Sequence, residues 1–315
     1  MPLSDRVERR MKLRDLRVLL AVVEAGSMRK AAAQLNITQP SVSRAIADLE
    51  ASLGVTLVDR TPVGVEPTAY GRALLDGGAA MFDDLRQAVN KIEFLADPTG
   101  GEIRLGSVPA FAASFVAAVI DRLSRRHPRI RFHLVTGLVE SLNAMLLDRS
   151  IDLAIAARMG PLAGEGMGFE FLFDGSFVVA AGAGHPLARR RRKIALADLA
   201  NESWTLPSPT SAIGSLFLNI FRGSGLEYPI PVVVVDPIDV RMTLLSTGRF
   251  LTMFDPSAMR FPVRHPEIVA LPIELPVGAA QIGVLTLQNR TVSPVAKLFI
   301  ACAHEIATGW RRRNR

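Results

Sequence analysis

The sequence predicts an α/β chain in two parts: an N-terminal winged helix-turn-helix continued by one long helix, then a body of alternating strands and helices. Three observations predict it. Residues 26–60 read as two short helices around a tight turn, with a third element starting at a glycine. Residues 68–96 place apolar side chains at alternating steps of four and three, the spacing of a coiled-coil seam. Beyond residue 101, short apolar runs of strand length alternate with helical patterns, which argues for an α/β fold.

Taken in order, residues 13–25 form a first helix with Leu16, Leu19, Leu20 and Val23 inward. Ser27 is an N-cap for the alanine-rich run 28–35, where Ala31, Ala32 and Leu35 give a face small enough for close approach of a second helix. Asn36 favours a turn and tolerates left-handed backbone. Thr38 caps the next helix, and Pro40 sits in its first turn, where a missing amide costs little. Val42, Ile46, Leu49 and Leu53 make one apolar stripe, while Gln39, Ser43, Arg44 and Ala47 share the other side. Gly54 ends the helix as a left-handed cap. Residues 56–65 read as a short two-stranded wing turning at 62–64.

A helix–turn–helix whose outer face carries small polar side chains and one arginine suits insertion into a major groove. Gln39 can pair with adenine, and Arg44 with guanine or a phosphate. Ser41 and Ser43 suit phosphates, which position a helix without reading sequence. Arg29 and Lys30 can add phosphate contacts, whereas Asp59 would repel one. Geometry alone leaves an ordinary helical hairpin with a solvated face as the alternative. The residue pattern goes further. Gly26-Ser27, Ala31-Ala32, Gln39-Pro40-Ser41-Val42-Ser43, Leu49-Glu50, Gly54 and Arg60, followed by Thr68 and Gly71, resemble the amino-terminal domain of LysR-type transcriptional regulators. The resemblance implies DNA contacts from Ser27, Gln39, Pro40, Ser41, Ser43, Arg44 and Arg60, to which the charges of Arg29 and Lys30 are added as candidates. Two departures stand out. Met28-Arg29 replaces an aromatic and a threonine, and Leu57-Val58-Asp59 precedes Arg60 where the family has Leu-Phe.

In the helix over 68–96, Leu74, Gly78, Met81, Leu85, Ala88, Ile92 and Leu95 form the seam, read as a dimer linker whose two-fold symmetry matches paired half-sites in double-stranded DNA. A helix folded back on its own domain is the plainer reading. Residues 97–100 are a hinge by composition. Strands follow at 103–108, 130–135, 151–156, 176–181, 204–206, 232–235, 250–254 and 281–287, with helices at 110–126, 138–149, 213–223, 240–247 and 293–312. This order is similar to the effector-binding domain of the same family, itself like type 2 periplasmic binding proteins. The likeness implies two lobes, residues 101–180 with 286–312 and residues 183–281, linked by crossovers at 177–187 and 281–287. It also implies a homodimer through the long helix, and a homotetramer overall.

In open α/β sheets, ligands gather at the carboxyl ends of strands near helix amino termini. Ser107, Val108, Thr136 and Arg158 hold such positions in the first lobe; Ser208, Thr210, Ser211, Asp236 and Asp255 hold them in the second. Amides at two helix starts plus Arg158 favour an anionic or hydroxyl-rich effector. The plain roles are helix caps for the hydroxyls and a surface ion pair for Arg158. A likeness to the family's subgroup that regulates sugar-binding proteins implies a sugar or an organic acid such as a sugar acid.

Bulk properties bound the remaining classes. The 315 residues carry a formal net charge of +7, yet residues 1–96 hold 13 Lys/Arg against 12 Asp/Glu. The excess lies in Arg189–Lys193, read as a solvated loop, and in the tail Arg311–Arg315. A single cysteine, Cys302, excludes a disulfide framework and a Cys-rich zinc site, and suggests a reducing compartment. No apolar window of about 18 residues suggests a membrane span, and the charged first dozen residues are unlike a signal peptide, so a cytoplasmic regulator is expected. The rival classes are an α/β enzyme and a solute-binding protein with an N-terminal helical accessory domain. Against an enzyme, His304-Glu305 opens a zinc-protease pattern, but Thr308 stands at the second ligand. Gly164, Gly166 and Gly168 lack dinucleotide-binding spacing, and there is no Gly-x-Ser-x-Gly elbow and no phosphate loop. No cofactor is expected.

Overall fold

The computed structural model describes residues 11–61, 64–158, 166–259, 267–275 and 280–312. The chain divides into two compact units, Met1–Val89 and Asn90–Arg315. In the first, α1 (Leu13–Ala25), α2 (Met28–Gln34) and α3 (Gln39–Leu53) precede the wing strands β1 (Val58–Thr61) and β2 (Gly64–Pro67), and α4 (Ala69–Ala96) begins. Leu16, Leu19 and Val22 of α1, Ala31 and Ala32 of α2, Val42, Ile46 and Leu49 of α3, and Leu57 make one core. Ala31 and Ala32 let α1 and α3 both close on α2. The inward face of α1 differs from expectation: Leu20 and Val23 are half-buried, while Val18 and Val22 are fully buried. Because α1 packs on α2, α3 and β2 together, its buried face is wider than a single stripe.

Local chemistry sets the element ends. Ser27 Oγ accepts from the Lys30 amide at 3.5 Å, and Thr38 Oγ1 from the Ser41 amide at 3.4 Å. Asn36 adopts φ +53°, and Gly54 closes α3 at φ +74°. The expected wing turn at 62–64 falls largely on residues 62–63, which lie outside the described residues.

The second unit opens within the long helix, where Phe94 packs on its core. The expected hinge at 97–100 is a closed turn that runs into β3 (Gly100–Ser107). Asp97 Oδ1 accepts from the Thr99 amide at 3.1 Å, the Thr99 hydroxyl at 2.7 Å and Arg129 at 2.8 Å. The following helix, α5, runs over 109–126 as Pro109–Phe111, a π-helical turn Ala112–Val116 and Ala117–Arg126. Then come β4 (Arg129–Thr136), α6 (Val139–Leu147), β5 (Leu153–Arg158), β6 (Met167–Gly175), β7 (Val178–Gly182), β8 (Thr205–Leu206), α7 (Ala212–Gly223), β9 (Val233–Val234), α8 (Ile238–Ser246), β10 (Leu251–Phe254), β11 (Ile268–Ala270), β12 (Ala280–Leu287) and α9 (Pro294–Arg312).

Two sheets organise them. One has the order β4-β3-β5-β12-β6, with β3, β4 and β5 parallel. The other has the order β10-β7-β11, and a parallel bridge from Trp204 to Leu251 brings β8 and β9 alongside β10. Strands β6 and β11 were not expected. The first crossover therefore runs from β6 into β7 at 175–178, and β7 belongs wholly to the second lobe. The return strand β12 lies wholly in the first lobe, between β5 and β6. Sheet membership thus moves the expected divisions at residues 180 and 281 to the crossovers on either side of the second lobe. Arg189–Lys193 is exposed as expected, set between buried Leu187 and Ile194, with Lys193 on Glu274 at 2.6 Å.

Candidate nucleic-acid interface and effector cleft

Helix α3 presents Gln39, Pro40, Ser41, Arg44 and Ala47 to solvent. Pro40, Arg44 and Ala47 share the face opposite Val42, Ala45, Ile46 and Leu49, all buried, while Gln39 and Ser41 are exposed in the first turn. Ser41 Oγ lies 2.8 Å from Thr38 Oγ1, which orders the first turn. Ser43 departs from the expected outer face: it is half-buried, and its hydroxyl points to the Met28 sulfur at 3.5 Å. Met28, in the place the family gives an aromatic, draws that hydroxyl inward. Arg29 and Lys30 are exposed at the start of α2, while the Ser27 hydroxyl is occupied by its cap. Arg60 is exposed on β1, next to the cross-strand pair Asp59–Glu66. That acidic pair leaves the wing a weaker anion site than α3.

In the second unit, Ser107 and Thr136 are register partners at the carboxyl ends of parallel β3 and β4. Thr136 is exposed and Val108 is half-buried. Ser107 is fully buried, and its hydroxyl lies 3.1 Å from Val108 O and 3.2 Å from Ile155 O, so it ties strands together. Arg158, at the end of β5, bonds Gln281 and stacks 4.4 Å from the Phe169 ring centroid. Gly283 makes that stacking feasible, since a Cβ there would meet the Phe169 ring at 2.5 Å.

From the second lobe, the Ser208 amide donates to Asp236 Oδ1 at 3.1 Å, and Ser208 Oγ lies 2.8 Å from Thr210 Oγ1. Ser211 caps α7 by accepting from the Gly214 amide at 3.2 Å. Asp255 is buried just beyond β10, with Oδ2 so near Gly175 that a Cβ there would lie 3.1 Å away. Ala110, at the start of α5, packs on the second-lobe cluster of Ala180, Ile238, Leu245, Phe254 and Ile268. The start of α5 therefore meets the second lobe through Ala110, and Asp255 lies beside the end of β6 at Gly175.

Residues 13–72 match the family model of the bacterial regulatory helix-turn-helix protein, lysR family, and residues 96–307 match the LysR substrate binding domain. The chain belongs to the LysR family. The HTH-type transcriptional regulator GbpR of Azospirillum brasilense is 26% identical over 304 residues, which cover 96% of this chain and 89% of the relative. A full-length OxyR variant from Pseudomonas aeruginosa shares the fold at a TM-score of 0.67, with 18% identity and coverage of 93% and 94%. Full-length CbnR complexed with its target DNA matches at a TM-score of 0.54, with 21% identity and coverage of 94% and 100%. As a LysR-family member the chain is a DNA-binding transcriptional regulator with an effector-binding domain, and not an enzyme.

Several LysR-family positions gain physical reasons from the geometry. Glu50 Oε1 accepts from the amides of Leu57 and Val58 at 2.8 and 3.4 Å, which fixes the wing to α3. Thr68 Oγ1 accepts from the Gly71 amide at 3.0 Å and donates to Thr56 O at 2.7 Å. A Cβ on Gly71 would lie 2.0 Å from Leu57 O, so only glycine lets α4 start there. One residue absent from the sequence reading stands out in the effector-binding domain. Arg241, in the first turns of α8, is 3% exposed, and burial pulls its pKa down to about 10. Its polar partners lie on β10 and before α8, so local sequence carried no signal for its burial.

Proposed function

We propose that this LysR-family chain is a cytoplasmic, sequence-specific regulator whose α3 enters the major groove and whose two-lobed body binds a small sugar or organic acid. The observation that carries the DNA reading is the Thr38-capped start of α3, with Gln39, Ser41 and Arg44 all exposed in its first turns. Gln39 and Arg44 read base edges, while Ser41, Arg29, Lys30 and Arg60 hold phosphates. Thr136, Arg158, Ser208, Thr210 and Asp255 line the effector side, and Ser107 and Ser211 shape it through backbone bonds. None of the described helices is long and apolar enough to cross a membrane.

Two separate apolar surfaces support assembly as a dimer and then a tetramer. Met81, Leu85, Val89, Ile92 and Leu95 are exposed along α4. Leu134, Val135 and Leu138 on one lobe, with Ile230, Val232, Val234 and Val240 on the other, form the second set. Effector binding shifts the lobes and rearranges the paired DNA-binding ends, changing the spacing or bending of bound DNA. Footprinting of the purified protein on DNA upstream of its own gene tests the reading. Protected half-sites are expected at low salt; no protection across a range of competitor concentrations overturns it.

A further inference from the structure

Arg241 is a buried cation that bonds no carboxylate among the described residues. Its guanidinium Nη1 donates to Met253 O at 2.9 Å and lies 3.4 Å from Thr252 Oγ1, while Nη2 reaches Asp236 O at 3.4 Å. A guanidinium has five donors, and these bonds leave the Nε–Nη2 edge largely unused. Nε is buried and has no hydrogen-bond partner. That side-on edge is the one that grips a carboxylate with two parallel bonds. The Asp236 carboxylate acts on this charge from a distance, but no carboxylate bonds the guanidinium directly, so its desolvation is only partly repaid.

The position of this group matters as much as its state. Asp236 links it to the effector side of the second lobe: its carbonyl meets Arg241, and its carboxylate holds the Ser208 amide. Tyr228 stands close by and donates to Pro207 O at 3.0 Å, with burial raising its pKa to about 12. It therefore stays neutral beside the cation. The Phe217 ring lies 5.9 Å from the guanidinium carbon. Thr205 Oγ1, whose strand neighbour Thr252 approaches Arg241, is a second buried polar atom without a partner. One end of the second lobe thus holds a preformed cationic fork, an orphan hydroxyl and the amino terminus of α7.

We propose that Arg241 is the anion-recognition residue of the effector cleft, and that the effector is a carboxylate-bearing small molecule rather than a neutral sugar. This rests on the reading of the cleft as the effector site. The carboxylate takes the Nε–Nη2 edge, satisfies the unpartnered donor and neutralises the buried charge. A neutral analogue has no charge to place against the guanidinium and cannot make these paired bonds.

The test uses the full chain and matched probes: gluconate with glucose, galacturonate with galactose, and benzoate with benzamide. Ligands that bind the folded state raise its melting temperature in a dose-dependent way. At least one acid is expected to raise it, while its neutral counterpart does not. Arg241→Lys, which keeps the charge and loses the fork, should weaken that acid about tenfold, and Arg241→Met should abolish its effect. A neutral probe that stabilises as well as its acid overturns the proposal and leaves the cleft reading standing, as does acid binding retained in Arg241→Met. No shift from any probe overturns both. The acid–neutral comparison in the wild-type chain does not depend on either variant folding.

Discussion

Ser43 and Arg44 are neighbours in sequence with different work to do. The Ser43 hydroxyl turns toward the Met28 sulfur, whereas Arg44 is exposed. Ser43→Ala is therefore expected to leave the affinity for the footprinted site nearly unchanged. Arg44→Ala and Gln39→Ala should each lose about 1–3 kcal/mol of discrimination between that site and a scrambled duplex. Fluorescence anisotropy on both duplexes checks this, and a Ser43→Ala defect as large as that of Arg44→Ala would show that Ser43 faces the DNA in the complex. Two glycines on α4 make a second residue-level contrast. A Cβ on Gly71 would meet Leu57 O at 2.0 Å, while one on Gly77 meets nothing within 4 Å. Gly71→Ala should destabilise by about 1–3 kcal/mol through overpacking, and Gly77→Ala should stabilise by about 0.5–1 kcal/mol through backbone entropy. Urea unfolding of each variant measures the difference in sign.

Within the long helix, the seam divides into an intramolecular and an exposed part. Leu74 joins the N-terminal core, and Gly78 leaves room for Leu16, whose side chain would lie 3.0 Å from a Cβ. Exposure begins at Met81 and rises to 67% at Ile92 and 73% at Leu95, too much for a helix that packs only on its own domain. Leu85→Asp combined with Ile92→Asp is expected to give a monomer by sedimentation with unchanged helix content; an intact oligomer would move the interface elsewhere. At the end of that helix, Thr99 and Arg129 hold the Asp97 carboxyl below the usual carboxylate range, the Thr99 bonds contributing most. A lowered native pKa stabilises above about pH 4, and that contribution disappears as pH falls through the native value. The urea midpoint of Asp97→Asn should therefore differ from wild type at pH 6 and approach it at acid pH. These end turns and caps were legible because Ser27, Thr38, Gly54 and Thr68 act on their own neighbours. Strand β6 was not: its phenylalanines at 169, 171 and 173 alternate, but glycines at 166, 168 and 175 masked the run. Strand β11 has three residues and exists through its pairing with β7, and the π-helical turn in α5 does not show in apolar periodicity. Arg241 escaped for the same reason, since its bonding partners on β10 are non-local.

Charge distribution across the whole molecule decides where DNA affinity comes from. Residues 13–67 hold six Lys/Arg and six Asp/Glu, while Arg189, Arg190, Arg191 and Arg192 stand exposed together far along the chain. If net charge set the affinity, that loop would dominate the salt dependence of binding. If local placement sets it, the contacts come from Arg29, Lys30 and Arg60, about three phosphates per protomer. Each phosphate neutralised adds about 0.9 to the slope of log K against log salt, so a dimer on paired half-sites should show a slope of about −5. Changing Arg29 and Lys30 to Gln should remove about 4 from the magnitude of that slope, two contacts in each of two protomers. Changing Arg189 through Arg192 to Gln should leave it where it was, because on this reading none of the four contacts a phosphate. Titrations of one footprinted duplex at several salt concentrations, with all three proteins, separate these cases. A slope that falls with the loop variant and holds with Arg29 and Lys30 replaced would shift the phosphate contacts to the effector-binding domain. The exposed cations on α2, α3 and β1 argue for the opposite outcome: a domain with no net charge can still grip DNA when arginines and lysines stand free to meet phosphates on the elements around the helix that reads it.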